Sequence, residues 1–136
     1  MYKYLILLSI VIGTTNVLAS DTTTETCANG AGIVIEGKVS GHKYCKSKGG
    51  RNWWNAVSWC DAIGRRLIER NDCGCSDAAV SCSGNKCPEF TGIGNYIWAW
   101  FMDSKDSSTA YVVDPNGGSM SYFVRNHTDG YSVICY

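Results

Sequence analysis

Cysteine is the residue type in this sequence whose chemistry is easiest to specify, either as disulfides or as ligands of zinc. The chain of 136 residues has eight of them: Cys27, Cys45, Cys60, Cys73, Cys75, Cys82, Cys87 and Cys135. An even number of cysteines in a small exported chain indicates disulfides. Zinc is the alternative for the four within residues 73–87, but the spacing C-x-C-x6-C-x4-C differs from that of the common zinc ribbons. We therefore expect disulfides, no metal and no cofactor.

The residues alone leave the disulfide pairing open, because eight cysteines allow about 105 connectivities. Cys27 and Cys45 lie at the two ends of a predicted hairpin, and we expect them to close it. In the cluster we expect the pairs Cys73–Cys87 and Cys75–Cys82, and other pairings within residues 73–87 stay open.

Catalytic side chains are sparse in this sequence. His42 and His127 are the only histidines, and nothing in the sequence pairs either of them with a nucleophile. Asp103 and Asp106 lie in a serine-rich loop, where nothing supports a pair of catalytic carboxylates. We expect both histidines to be solvated and the protein not to be an enzyme.

The first residues have the pattern of a signal peptide. A lysine at position 3 precedes an apolar run over residues 4–13, and Val17-Leu18-Ala19 is a small-residue cleavage site. The run is shorter than the roughly 20 residues that span a bilayer. We predict a signal peptide over residues 1–19, a flexible lead-in over 20–26 and one domain over 27–136. The protein is then secreted, periplasmic or at the cell surface, with no membrane span once the signal is removed.

The charge is balanced overall but uneven along the chain. Between residues 38 and 51 lie five cations and no acid: Lys38, Lys43, Lys46, Lys48 and Arg51. This stretch is either a basic face for anionic glycans or lipid head groups, or a solvated loop, which is the interpretation we favour. With a formal net charge of zero, no nucleic-acid partner is expected.

The stretch from Asn52 to Gly64 has the pattern of an amphipathic helix. Asn52 is a suitable N-cap, and Gly64 suits the left-handed position that ends a helix. At about 100° per residue, one arc holds the apolar side chains Trp53, Ala56, Val57, Cys60 and Ile63. Trp59 falls at the border of this arc and Trp54 on the polar side, so we expect Trp54 to be exposed.

The remaining elements are short. A hairpin is predicted over residues 32–44, and residues 65–70 should be extended with Leu67 pointing inward. Strands are predicted at 96–102, 110–113, 119–124 and 131–136, with a turn at 114–118 between the middle two. Residues 71–95 show no periodicity, which is typical of a segment ordered by disulfides.

Two motifs carry a resemblance to a known family. Trp53-x2-Ala56-x3-Cys60-x3-Gly64-x2-Leu67 resembles the first-helix signature of the C-type lectin-like superfamily, and Val133-Ile134-Cys135 resembles its closing strand. Residues 98–135 are similar to the second half of short bacterial members. The resemblance implies an α+β fold with one main N-terminal helix packed on a small antiparallel sheet. It also implies a Cys60–Cys135 disulfide and a structural core that includes Trp53, Ala56, Val57 and Leu67.

The sequence lacks the calcium site of the sugar-binding members of that family. Too few residues separate Trp98 from Cys135 for the long calcium-binding loop. Asp114-Pro115-Asn116 resembles the Glu-Pro-Asn marker only superficially, and no Trp-Asn-Asp follows it. Since calcium takes six to eight oxygen ligands, we expect no calcium site.

The predicted function is therefore an exported C-type lectin-like binding module that recognises a glycan or a protein at a cell surface. Its candidate ligand-binding residues are the aromatics Trp54, Trp100 and Tyr122, which we expect to be exposed, together with Arg125 and Asn126. One alternative is a structural subunit of a surface or envelope assembly, and the oligomeric state is open. A third is a toxin or inhibitor that displays the loop of residues 73–87. Asn126 also begins a glycosylation sequon.

Overall fold

The structure is a computed structural model that describes residues 13, 23–74, 86–93, 98–127 and 130–136. Apart from Gly13, the predicted signal peptide lies outside the described residues, as do Cys75 and Cys82. Within these ranges the chain is α+β, with one α-helix, two small antiparallel sheets and three short 3₁₀ helices at Ala28–Gly30, Arg70–Cys73 and Pro88–Phe90. No helix in this part of the chain combines the length and hydrophobicity that crossing a bilayer requires.

The first sheet has the order β1-β2-β3-β7. Its strands are β1 (Thr26–Cys27), β2 (Gly32–Glu36), β3 (Lys43–Ser47) and β7 (Ile134–Cys135). The predicted hairpin is present, but its second strand begins at Lys43, which leaves Val39 exposed in the turn. Thr26 pairs with Ile33 in β2, so the lead-in predicted over residues 20–26 ends before Thr26.

The second sheet has the order β4-β5-β6. Its strands are β4 (Ala99–Ser104), β5 (Thr109–Val113) and β6 (Met120–Val124), close to the predicted ones. In the predicted turn between β5 and β6, Asp114 Oδ1 accepts the backbone N–H of Asn116 at 2.9 Å, and Gly118 takes a positive φ of 68°. Ser132 links the two sheets, because it exchanges backbone hydrogen bonds with Trp98 and Trp100.

Helix α1 spans Trp53–Ala62 and has the predicted caps. The side chain of Asn52 accepts the backbone N–H of Asn55 at 2.9 Å, and Gly64, just beyond the end, has a φ of 71°. The face predicted to be apolar does turn inward: Trp53, Ala56 and Cys60 are buried, and Val57 is half-buried.

The buried side chains form two clusters. One contains the inner face of α1 together with Leu67, Trp100 and Val112. The other contains Tyr44, Ile68, Phe90, Phe101 and Ile134. Leu67 and Ile68 are neighbours in an extended segment, so their side chains point to opposite sides and each enters a different cluster.

Three disulfides staple these elements together. They join Cys27 to Cys45, Cys60 to Cys135 and Cys73 to Cys87, which are three of the four expected pairs. The bond from Cys60 ties α1 to β7 across 75 positions of sequence. The fourth expected pair, Cys75–Cys82, lies outside the described residues. Because Cys73 and Cys87 are bonded to each other, they are not free to bind zinc together with Cys75 and Cys82.

Candidate functional site

Trp54 is the most exposed tryptophan side chain that the structure describes, and it is also held in place. It lies in the first turn of α1, where the helix directs Trp53 inward and leaves Trp54 53% exposed. The indole Nε1 donates a hydrogen bond to Oδ1 of Asn126 at 3.2 Å. Its ring also meets the Trp53 ring edge to face, with centroids 4.8 Å apart. The expected exposure of Trp54 is confirmed.

Arg125 lies against both of these tryptophans. Its guanidinium carbon is 4.3 Å from the ring centroid of Trp53 and 5.6 Å from that of Trp54. The guanidinium donates to Oγ of Ser104 and, at 3.2 Å, to the backbone oxygen of Asp106. The backbone of Arg125 is fixed as well, since its carbonyl accepts the N–H of Trp53 at 3.1 Å. We call the group formed by Trp54, Arg125 and Asn126 the Trp54 surface.

The loop between β4 and β5 connects the Trp54 surface to Tyr122. Lys105, in this loop, places its Nζ 3.2 Å above the ring centroid of Tyr122, which is 47% exposed. Asp106 Oδ1 holds the loop closed by accepting from the backbone of Ser108 and Thr109 and from the Ser108 hydroxyl. These hydrogen bonds, led by the one from the Ser108 backbone, lower the pKa of Asp106 to about 2. The loop is therefore ordered by a carboxylate that stays ionised.

Trp100 does not belong to this surface. Its side chain is fully buried, and its Nε1 donates to the backbone oxygen of Arg51 at 2.8 Å. The ring packs edge to face on Tyr131, with centroids 4.9 Å apart. The expectation that Trp100 is an exposed ligand-binding residue is wrong, because the alternation of β4 turns this side chain into the cluster under α1. Of the five predicted ligand-binding residues, three form the Trp54 surface and Tyr122 lies beyond the loop.

Sequence reasoning missed a buried carboxylate at the other sheet. Glu89 is fully buried, and its Oε2 accepts the backbone N–H groups of Val39 and Ser40, each at 2.9 Å. Its Oε1 accepts the hydroxyls of Ser40 and Tyr44. Burial raises the pKa of Glu89, but these donors outweigh burial and bring the pKa below its ordinary value. Glu89 is thus a structural anion that fixes the β2–β3 turn.

A cavity of about 410 Å³ lies beside Glu89 and is walled by three aromatic rings. His42 stacks on Tyr136 with centroids 4.1 Å apart, and Tyr44 meets both rings edge to face. Burial, followed by the hydrogen bond to Glu89, raises the pKa of the Tyr44 hydroxyl. Both carboxylate oxygens of Glu89 already have two donors, so this carboxylate has little capacity left for a ligand in the cavity.

The histidines are both half-buried, which corrects the expectation that they are solvated. His42 lies in the aromatic wall described above. His127 has its ring 5.2 Å from that of Tyr131 and 6.2 Å from that of Phe123. The stacking partner of His42 comes from the other end of the chain, whereas Phe123 and Tyr131 lie only four positions from His127 in the sequence.

The basic stretch of residues 38–51 does not form one free cationic face. Lys43 pairs with Glu25 at 2.9 Å, and this partner raises the pKa of Lys43. Lys46 is only 7% exposed, and burial lowers its pKa. Arg51 lies over the ring of Trp59 at 5.3 Å. The middle of the stretch is strand β3. The interpretation as a solvated loop therefore holds only for the exposed residues 38–41 and 48–50 on either side of it.

No cluster of three or more histidine, cysteine or acidic side chains in the described ranges is arranged to hold a metal ion. The Asp114 carboxylate caps its own hairpin turn through the N–H of Asn116. The resemblance of Asp114-Pro115-Asn116 to a calcium marker therefore has a local structural explanation.

Comparison of the sequence with protein-family models and with curated proteins gives no match. The proposal for the function therefore rests on the residues themselves and on their geometry.

Proposed function

We propose that this protein is an exported, C-type lectin-like binding module that recognises a glycan at a cell surface, without calcium and without catalysis. The observation that carries the proposal is the indole of Trp54, which is half exposed and yet fixed by Asn126 and Trp53. An aromatic ring that is already ordered loses little conformational entropy when a ligand stacks on it. Arg125 and the amide of Asn126 stand beside that ring, where sugar hydroxyls need hydrogen-bond partners.

The surroundings of Trp54 favour a glycan over a protein as the ligand. Arg125 lies against the exposed ring of Trp54 and Lys105 against that of Tyr122, so each exposed aromatic ring has a cation beside it. A specific protein interface instead needs about 800 Å² per partner, with an apolar centre. An apolar ring beside a cation suits a saccharide, whose ring faces are apolar and whose edges carry hydroxyls.

The fold assignment and the export are part of the same proposal. The disulfide from α1 to β7, between Cys60 and Cys135, is the one that the resemblance to the C-type lectin-like superfamily implies. The three disulfides among the described residues are compatible with an oxidising compartment outside the cytosol.

A glycan array probed with the oxidised protein, with and without a chelator, tests the proposal. We expect binding to at least one glycan that is the same in both conditions and that falls at least ten-fold in Trp54→Ala. Val39→Ala, which trims an exposed apolar side chain near the other sheet, is the control and should bind like the wild type. Loss of binding with the chelator would refute calcium independence, and no binding to any glycan would refute the function.

Self-association is the second candidate function, in line with a subunit of a surface assembly. Strand β6 is an outer strand of its sheet and exposes Tyr122 and Val124 on one face. An outer strand with apolar side chains is suited to pairing with a second copy of the chain. Light scattering after size-exclusion chromatography separates the two candidates: a monomer favours glycan binding, and a defined oligomer broken by Val124→Lys favours assembly.

A further inference from the structure

A second, smaller cavity of about 190 Å³ lies beside Tyr122, where the 3₁₀ helix at residues 70–73 meets β5 and β6. Its lining is formed by Arg70, Tyr111, Met120, Ser121 and Tyr122. Tyr122 is one of the predicted ligand-binding residues, and the loop between β4 and β5 separates it from the Trp54 surface.

Arg70 is the only formally charged residue among the described residues that line this cavity. Its guanidinium carbon lies 4.5 Å from the ring centroid of Tyr111. The guanidinium has no ion-pair partner among the described acids, and its Nε is buried without a hydrogen-bond partner. An arginine in this state retains the donors that match the two oxygens of a carboxylate or sulfate group.

The nearby acids do not neutralise Arg70. Asp103 Oδ2 accepts the backbone N–H of Arg70 at 2.7 Å, which turns this oxygen toward the main chain. Asp106 is occupied by the backbone and the hydroxyl groups of its own loop. A second cation, Lys105, lies on the ring of Tyr122. Tyr122 thus has one cation on its ring and lines a cavity that holds a second.

The geometry points to an anion subsite: Arg70 binds the carboxylate or sulfate group of an acidic saccharide, and a sugar ring of the same ligand packs against Tyr122. This inference rests on the proposed function. The cavity of about 190 Å³ takes only the anionic group, and the rest of the saccharide lies outside it. The saccharide class that this protein recognises is then an acidic one.

The test compares matched pairs of ligands by titration calorimetry. One pair is an oligosaccharide containing hexuronic acid and its carboxyl-reduced form, and the other is a sulfated oligosaccharide and its desulfated form. We expect the wild type to bind the acidic member of at least one pair ten-fold or more tightly than the neutral member, and the preference to shrink as salt is added. The pair that shows the preference identifies the anionic group.

Substitutions then assign the preference to Arg70. Arg70→Gln should bind acidic and neutral members equally, whereas Lys48→Gln, the same charge change at an exposed lysine just after β3, should keep the wild-type preference. If Arg70→Gln does not fold, Arg70→Lys retains the charge without the two-pronged donor and should lose most of the preference. Equal binding of both members by the wild type, or a preference that survives in the Arg70 variants, overturns the subsite while leaving glycan binding intact. If no saccharide of either kind binds, the subsite and the proposed function both fail.

Discussion

Trp54 and Asn126 are 72 positions apart in the sequence and are joined by a hydrogen bond of 3.2 Å from the indole Nε1 to the side-chain Oδ1. Trp54 is the second residue of α1, and Asn126 follows β6, so the bond connects the helix to the end of the second sheet. Arg125 reinforces the connection from the neighbouring position by lying over Trp53 and Trp54. The exposed indole is therefore part of the framework, and its orientation is set before any ligand arrives.

Replacing Asn126 tests whether this orientation matters for binding. Asn126→Ala removes the acceptor and frees the indole, so glycan affinity should fall roughly 3- to 10-fold, the cost of ordering one large side chain. Asn126→Asp keeps an acceptor oxygen and should bind more tightly than the alanine variant. Both changes remove the sequon, so glycosylation does not separate them. Equal affinities for the two variants, measured by calorimetry, would contradict a positioning role for Asn126.

Alanine substitutions at Trp54 and Trp100 should lower the free energy of unfolding by very different amounts. Trp100 is fully buried, so Trp100→Ala leaves a large cavity and should lower the free energy of unfolding by about 3–5 kcal/mol. Trp54→Ala should lower it by about 1 kcal/mol or less, because half of that side chain is in solvent. Urea denaturation of the two variants measures both values. Similar losses would mean that Trp54 serves the fold and not a ligand.

Helix α1 and its buried face could be predicted from the sequence because both depend on residues that are close together in the chain. An N-cap, a glycine stop and a repeat of apolar positions fix α1 and direct Trp53 inward regardless of the rest of the chain. Trp100 could not be assigned in the same way, since both neighbours in Trp98-Ala99-Trp100-Phe101 are apolar and alternation carries no signal there. The face that such a strand buries is set by its partner sheet.

Glu89 should dominate the stability of the β2–β3 turn. In Glu89→Gln, an amide replaces a carboxylate that accepts from four donors, so we expect a loss of about 2–4 kcal/mol at pH 7. Gly37 leaves the room that this carboxylate occupies, because a Cβ at position 37 would overlap Glu89. Thermal or urea unfolding at pH 7 measures the loss, and a change under 1 kcal/mol would contradict this role.

The stability difference between the wild type and Glu89→Gln should narrow in acid. The pKa of Glu89 is lowered by folding, so the unfolded chain takes up the proton first as the pH falls. The contribution of Glu89 is complete above its ordinary value of 4.5 and is lost as the pH falls through the folded-state pKa. Asp106 titrates in both proteins and cancels from the difference. A difference that stays constant from pH 7 to pH 3 would refute this assignment.

The contribution of each disulfide to the free energy of unfolding should increase with the length of the loop that it closes. Removing Cys60–Cys135 by a double alanine substitution opens a separation of 75 residues and should cost about 4 kcal/mol. Removing Cys73–Cys87 opens a separation of 14 residues and should cost about 3 kcal/mol. Urea denaturation of the two double variants gives the order. A larger loss for Cys73–Cys87 would show that chain entropy does not set the order.

The parts of the site that sequence reasoning missed are those built from distant residues. Arg70 reads as an ordinary surface cation, and only the positions of Tyr111 and Tyr122 on two later strands place it in a cavity. Glu89 lies between Pro88 and Phe90, and its four donors come from the β2–β3 region some fifty positions earlier. Neither environment leaves a periodic trace in the sequence.

The central claim is that a glycan binds at the Trp54 surface, and the indole N–H signals in the NMR spectrum of the ¹⁵N-labelled protein test it most directly. The Trp54 signal is assigned from its disappearance in Trp54→Phe. During titration with the glycan that binds best on the array, we expect the Trp54 signal to shift and the buried Trp100 signal to stay in place, with chelator present throughout. Saturating glycan that leaves the Trp54 signal unmoved, or shifts confined to the cavity beside Glu89, would contradict the claim.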